Sequence, residues 1–127
     1  MSIARDTTAT NIKPLGPAIV DRYTSGAAIA AGELVSLQSD GYVDPSDSTS
    51  AADPVVGVAI QAAAGAAEQI DVVVFGPVKC LTGATKGAVV FNSTTAGEPT
   101  QTDSGDVTAA GYAKTDTILF VQPEYIA

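Results

Sequence analysis

The chain has 127 residues with six basic and fourteen acidic side chains, no histidine, no tryptophan and one cysteine, and its formal charge is −8. That length makes one domain able to bury a core without disulfides or metal, and a single cysteine excludes an internal bridge. An acidic body is repelled by phosphate backbones and anionic membrane surfaces, so neither nucleic acid nor membrane is expected as a partner.

The charge is uneven: residues 1–24 carry Arg5, Lys13 and Arg22 against Asp6 and Asp21, and the remaining residues hold three basic and twelve acidic groups. The opening Met1 to Asp6 lacks the apolar core of a signal peptide and no window reaches transmembrane length, so the product is expected to stay where it is synthesised. Residues 1–17 show neither a period of 2 nor of 3.6 and contain Pro14, Gly16 and Pro17. They read as an extended N-terminal arm on a single β domain spanning 18–127.

Strand signals begin at Ile19 to Thr24 and return at Gly32 to Leu37, followed by the tight-turn pair Asp40-Gly41. Residues 44–54 form a polar loop bounded by prolines. Val55 to Ile60 and Ile70 to Phe75 are apolar runs suited to buried strands, joined by a small-residue connection at 62–67. Gly76-Pro77 breaks the chain before Val78 to Leu81; Ala88 to Phe91 and Thr117 to Val121 complete the set. The prediction is a small, tightly turned all-β domain.

One phrase occurs twice. Gly32-Glu33-Leu34-Val35, Gly41-Tyr42-Val43-Asp44-Pro45 and Val56-Gly57-Val58-Ala59 are echoed by Gly87-Ala88-Val89-Val90, Gly97-Glu98-Pro99 and Ala110-Gly111-Tyr112-Ala113. The matching glycines, Gly32 and Gly87, Gly41 and Gly97, Gly57 and Gly111, lie 55, 56 and 54 residues apart. Near-constant spacing predicts two copies of one unit whose turns need backbone freedom.

The residues offer little chemistry. With no histidine and no nucleophile-and-base motif, the chain is not expected to be an enzyme or to hold a cofactor. Cys80 reads as a small buried apolar residue. Asp40, Asp44, Asp47 and Asp53 fail the spacing of a calcium loop, so no metal site is expected. Asn92-Ser93-Thr94 matches a glycosylation sequon but reads as a turn. Tyr42 and Tyr112 suit cross-strand packing, with surface stacking as the alternative.

The order Thr24-Ser25-Gly26 through Gly32-Glu33-Leu34-Val35, Asp40-Gly41-Tyr42-Val43, Val56-Gly57-Val58-Ala59, Phe75-Gly76-Pro77-Val78, Lys86-Gly87-Ala88-Val89-Val90 and Ala110-Gly111-Tyr112-Ala113 resembles the capsid decoration, or cement, proteins of tailed double-stranded DNA bacteriophages. The resemblance covers about residues 18–122 and rests on order and spacing. It implies a small β-barrel-like or β-tulip domain with an N-terminal arm, forming a homotrimer on the outer surface of the virion capsid, synthesised in the bacterial cytoplasm, that clamps neighbouring major capsid protein subunits against the pressure of packaged DNA. The arm is then the expected capsid contact, with Ile3, Arg5, Ile12, Lys13 and Leu15 as its anchors through strand addition. A glycan- or cell-binding module of the virion surface and a tail or tube subunit are the alternative readings.

Overall fold

A computed structural model describes residues 3–49, 54–103 and 108–123. Its strands, in chain order, are β1 (Ala4–Arg5), β2 (Lys13–Pro14), β3 (Ile19–Thr24), β4 (Leu34–Leu37), β5 (Val43–Pro45), β6 (Val55–Ala59), β7 (Gln69–Lys79), β8 (Leu81–Thr82), β9 (Val89–Asn92), β10 (Pro99–Thr100), β11 (Ala109–Ala113) and β12 (Ile118–Val121). A single 3-10 turn at Ala9–Asn11 is the helical element among the described residues. The fold is all-β: one curled, half-barrel antiparallel sheet runs β10-β9-β11-β12-β7-β6-β4-β5, and β1 pairs separately with β8.

The long strand β7 is shared by both halves. Its first part is flanked by β3 and β6, and its second by β2 and β12. Between them stands Gly76 with φ +119°, where a Cβ would press on Pro17 and Ala18. An L side chain is strained there twice over, by dihedral and by space. At this kink the pleat inverts: Val73 and Val78, five residues apart, both enter the same core.

The doubled phrase is a doubled structure. Strand β4 pairs with β5 and β6, as β9 pairs with β10 and β11. A β-bulge interrupts β6 opposite Val35/Ser36 and interrupts β11 between Ala109 and Gly111, at matching places. The Gly32 N–H donates to the Ala59 carbonyl at 2.7 Å, and the Gly87 N–H to the Ala113 carbonyl at 2.7 Å. Gly32, Gly87, Gly41 and Gly97 all have left-handed φ. At Gly111 (φ +145°) a Cβ would collide with the Phe120 carbonyl oxygen, and at Gly57 with that of Val73. Repeat one is therefore β3-β4-β5-β6 with the first part of β7, and repeat two is the second part of β7 with β9-β10-β11-β12.

The repeats stack with the same orientation. In repeat one, Val35, Ala59, Ile70 and Val72 form a core closed by Ile29 and Ala63. The opposite face of that repeat, with Leu34, Val55, Val58 and Val73, packs on Val90, Ala110, Ala113, Leu119 and Val121 of repeat two. Val90, Ala113, Leu119 and Val121 match Val35, Ala59, Ile70 and Val72, and the bulge residue Ala110 matches Val56, so the front of repeat two is covered by the back of repeat one. Burying each such Val or Leu contributes roughly 1.5–3 kcal/mol. At one end of the seam Ser36 Oγ donates to Ser46 Oγ (2.6 Å), Asn92 Nδ2 to the same oxygen (3.0 Å), and the Thr108 N–H to Asn92 Oδ1 (2.7 Å). Buried polar groups satisfied across two repeats fix their relative register.

The described part of the N-terminal segment lies on this body. Ala4 and Arg5 pair with Thr82 and Leu81, the Asp6 N–H donates to the Cys80 carbonyl (2.9 Å), and Lys13 and Pro14 pair with Lys79 and Val78. Ile12 is 6% exposed within the core between the repeats. The open edges of β7 and β8 present unpaired N–H and C=O groups that an extended chain satisfies. Pairings only two residues long leave no periodic trace in a sequence.

Candidate interaction face

The back face of repeat two has no covering layer among the described residues. Cross-strand partners point the same way, as do residues two apart on one strand. By those rules Pro77, Phe120, Tyr112 and Val89 form one row across β7, β12, β11 and β9, in which Pro77 is buried beside Gly16, Phe120 is half-buried and Tyr112 and Val89 are exposed. Leu15, whose N–H donates to the Pro77 carbonyl at 3.1 Å, extends it. Tyr112 stacks on Phe120 with ring centroids 5.3 Å apart and planes at 14°, and Phe75 meets Phe120 edge-on at 5.3 Å and 85°. Beyond Phe75 stands its partner Ile19 on β3.

A second row runs beside the aromatic one. Lys13 pairs with Lys79, Lys79 with Ile118, and the Lys114 N–H donates to the Ile118 carbonyl at 2.8 Å. Three of the six basic residues thus border one apolar face of an acidic chain. Both arginines are paired elsewhere, Arg5 Nε with Glu98 Oε2 at 2.7 Å and Arg22 Nη2 with Asp71 Oδ1 at 3.2 Å. None of Lys13, Lys79 and Lys114 makes an ion pair at contact distance among the described residues. Lys79 acts only at longer range, on Asp6.

The residues expected to form the arm contact divide into two groups. Ile3 packs partly buried against the core, Ile12 lies inside it, and Arg5 is held by Glu98 and by the Ala31 carbonyl (3.2 Å). Lys13 and Leu15 are exposed and belong to the face just described. No sequence pattern announced the face itself: Val89, Tyr112, Phe120 and Phe75 come from four separate strands. The alternation at Val89-Val90 and Tyr112-Ala113 held the signal, once it was known which member of each pair faces outward.

Other ionisable groups serve the fold. Asp6 accepts from the Thr8 N–H (2.9 Å) and Asn11 Nδ2 (3.1 Å), and the first of these bonds does most to hold its carboxyl below the usual range. Asp47 is lowered likewise by its bonds from Thr49. Burial pushes the Cys80 thiol up to about 12, with Asp6 adding to the effect, which makes it a poor nucleophile. Asp40, Asp44 and Asp47 do not gather into a metal-binding group among the described residues, and Asp53 lies outside them. An open depression of about 410 Å³ is lined by Gly83, Ala84, Thr85, Lys86 and Asp116, with no nucleophile beside a base.

No family model, curated protein or solved structure matches the chain.

Proposed function

We propose that this chain is a structural subunit of a virus particle: a cement protein that binds the outer surface of a tailed-phage capsid and ties neighbouring major capsid subunits together, acting as a homotrimer. The observation that carries the reading is the apolar back face of repeat two. Monomeric proteins rarely expose a contiguous patch of this kind, and such patches mark contacts with other proteins. Its counterpart in repeat one is buried, so the chain is built as one piece of a larger packing. The resemblance in element order and spacing supplies the capsid as the setting. Lys13 and Leu15 remain exposed at the rim for a particle contact, while the burial of Ile12 leaves that side chain to the subunit's own core.

The test is co-sedimentation of purified protein with expanded phage heads and with unexpanded procapsids. Saturable binding to heads and none to procapsids is expected. Failure to bind heads, or equal binding to both, counts against a cement role.

A further inference from the structure

On the back of repeat two the charge is as ordered as the apolar surface. Lys79 follows Pro77 by two residues, Lys114 follows Tyr112 by two, and Ile118 precedes Phe120 by two, so all three face the same way as the aromatic row. Lys13 stands directly opposite Lys79 across β2 and β7. Like charges directly opposite each other repel, and no carboxylate is in contact with either lysine among the described residues. Asp6, which feels Lys79 at longer range, is buried and committed to the Thr8 N–H and Asn11 Nδ2. The isolated fold thus carries a repulsion that its own side chains do not relieve.

We propose that the back face of repeat two receives a protein surface whose apolar centre is flanked along one side by carboxylates, and that Lys13, Lys79 and Lys114 pair with those carboxylates across the contact. This rests on the capsid reading and assigns the carboxylates to the major capsid subunit. The two rows lie about 7 Å apart, two residues along each strand, and the lysine row crosses four strands, about 14 Å. A partner that covered the aromatic row alone would strip water from the ammonium groups beside it without replacing that water. Carboxylates on the partner offset the loss and also quench the repulsion between Lys13 and Lys79. A nucleic acid or an anionic membrane would meet the same lysines, but its charge continues past the row, where it faces a chain with fourteen acidic groups. A short acidic border on a protein avoids that repulsion.

The experiment is zero-length carbodiimide coupling of the full chain bound to expanded phage heads, which joins an amine to a carboxylate only where the two are in contact. Peptide mapping should find Lys79, and Lys13 or Lys114 with it, bonded to Asp or Glu of the major capsid subunit. Lys79→Glu should weaken head binding by roughly tenfold or more, and replacing all three lysines by Gln should remove most of the salt dependence of binding. Arg22→Gln takes one positive charge from repeat one and should leave binding unchanged; melting curves show that each variant is folded. Head binding with none of the three lysines coupled to the capsid subunit, or with affinity unmoved by Lys79→Glu, would overturn the acidic partner and leave the capsid reading standing. Binding to duplex DNA or to phosphatidylserine vesicles that Lys79→Glu abolishes would overturn it in favour of phosphate. A parent chain that does not bind heads at all would remove the capsid reading and this assignment with it.

Discussion

Two copies of one strand pattern stand in this molecule, and the same pleat position has opposite fates in them. Leu34 in repeat one is 1% exposed, while Val89, its equivalent in repeat two, is 44% exposed. Val58 is fully buried and its equivalent Tyr112 is 39% exposed. The backbone at these positions is alike in register, bulge and glycine placement, so the difference is not one of local structure. It arises because repeat two covers the back of repeat one and nothing described covers the back of repeat two. Half of the duplication has its packing partner within the chain, and the other half has none among the described residues.

The sharpest way to break this comparison is truncation at the paired positions. Leu34→Ala is expected to cost about 2 to 5 kcal/mol, as deletion of a buried leucine does, whereas Val89→Ala should stay within roughly 0.5 kcal/mol. Chemical denaturation of the two variants measures both. Equal costs would mean that the back of repeat two is covered in the isolated chain, and the asymmetry between the repeats would vanish. Ile12→Ala comes next, at about 2 kcal/mol, because that side chain from the N-terminal segment fills the core between the repeats. A melting temperature unchanged by Ile12→Ala would place the segment outside the cooperative fold.

A smaller difference separates Ser25 from Cys80, which hold equivalent positions: the Ser25 N–H donates to the Glu68 carbonyl and the Cys80 N–H to that of Thr117. Ser25 Oγ donates to the Gly65 carbonyl (2.7 Å) and accepts from the Glu68 N–H (3.1 Å), so repeat one satisfies a buried hydroxyl. Around Cys80 the surroundings are apolar, with the Leu119 backbone within reach. Cys80→Ser is therefore expected to cost about 1 to 2 kcal/mol, from the space left by the smaller atom and an incompletely satisfied hydroxyl. The native thiol should resist a thiol reagent until the protein unfolds; prompt labelling of folded protein would contradict its burial.

Strands β3, β4, β6, β9 and β12, both parts of β7 and the duplication were legible in the sequence because they rest on runs such as Val55-Val56-Gly57-Val58-Ala59 and on glycines at turns and at bulges, both of which act over a few residues. Gly76-Pro77, expected to break the chain, only kinks β7. The short β5 and β10 and the alanine- and glycine-rich β11 were not legible. The N-terminal segment was not, since β1 and β2 are two residues long and exist only because β7 and β8 offer edges to them. Long-range pairing of this kind is set by the partner strand. The interaction face was illegible for another reason. Val89 and Val90 carry the same side chain, and only the stacking order of the repeats decides that the second enters the core and the first meets solvent. Asp40 and Asp47 accept turn N–H groups from Tyr42 and Thr49 as loop carboxylates do, whereas Asp44, expected in the polar loop, belongs to β5 opposite Ser36.

The smallest expected effect concerns Glu33, whose equivalent in repeat two is Ala88. Glu33 lies half-buried in the seam, and burial raises its carboxyl above the ordinary value of 4.5, opposed by a bond from the Ala30 N–H (2.8 Å) and by Arg5. Because its folded-state value is the higher one, the folded protein takes up this proton first as pH falls. Folding is thus penalised by Glu33 at neutral pH, and the penalty is relieved as pH drops through the folded value toward 4.5. Asp6 and Asp47 act in the opposite sense, and their contributions are lost only as pH falls below 3.8, so the two windows are separate. Glu33→Gln retains an acceptor for the Ala30 N–H and carries no charge. The variant should exceed the parent in melting temperature at pH 7, and the margin should shrink steadily as pH is lowered to 4.5. A margin independent of pH would show that Glu33 is not desolvated in the seam.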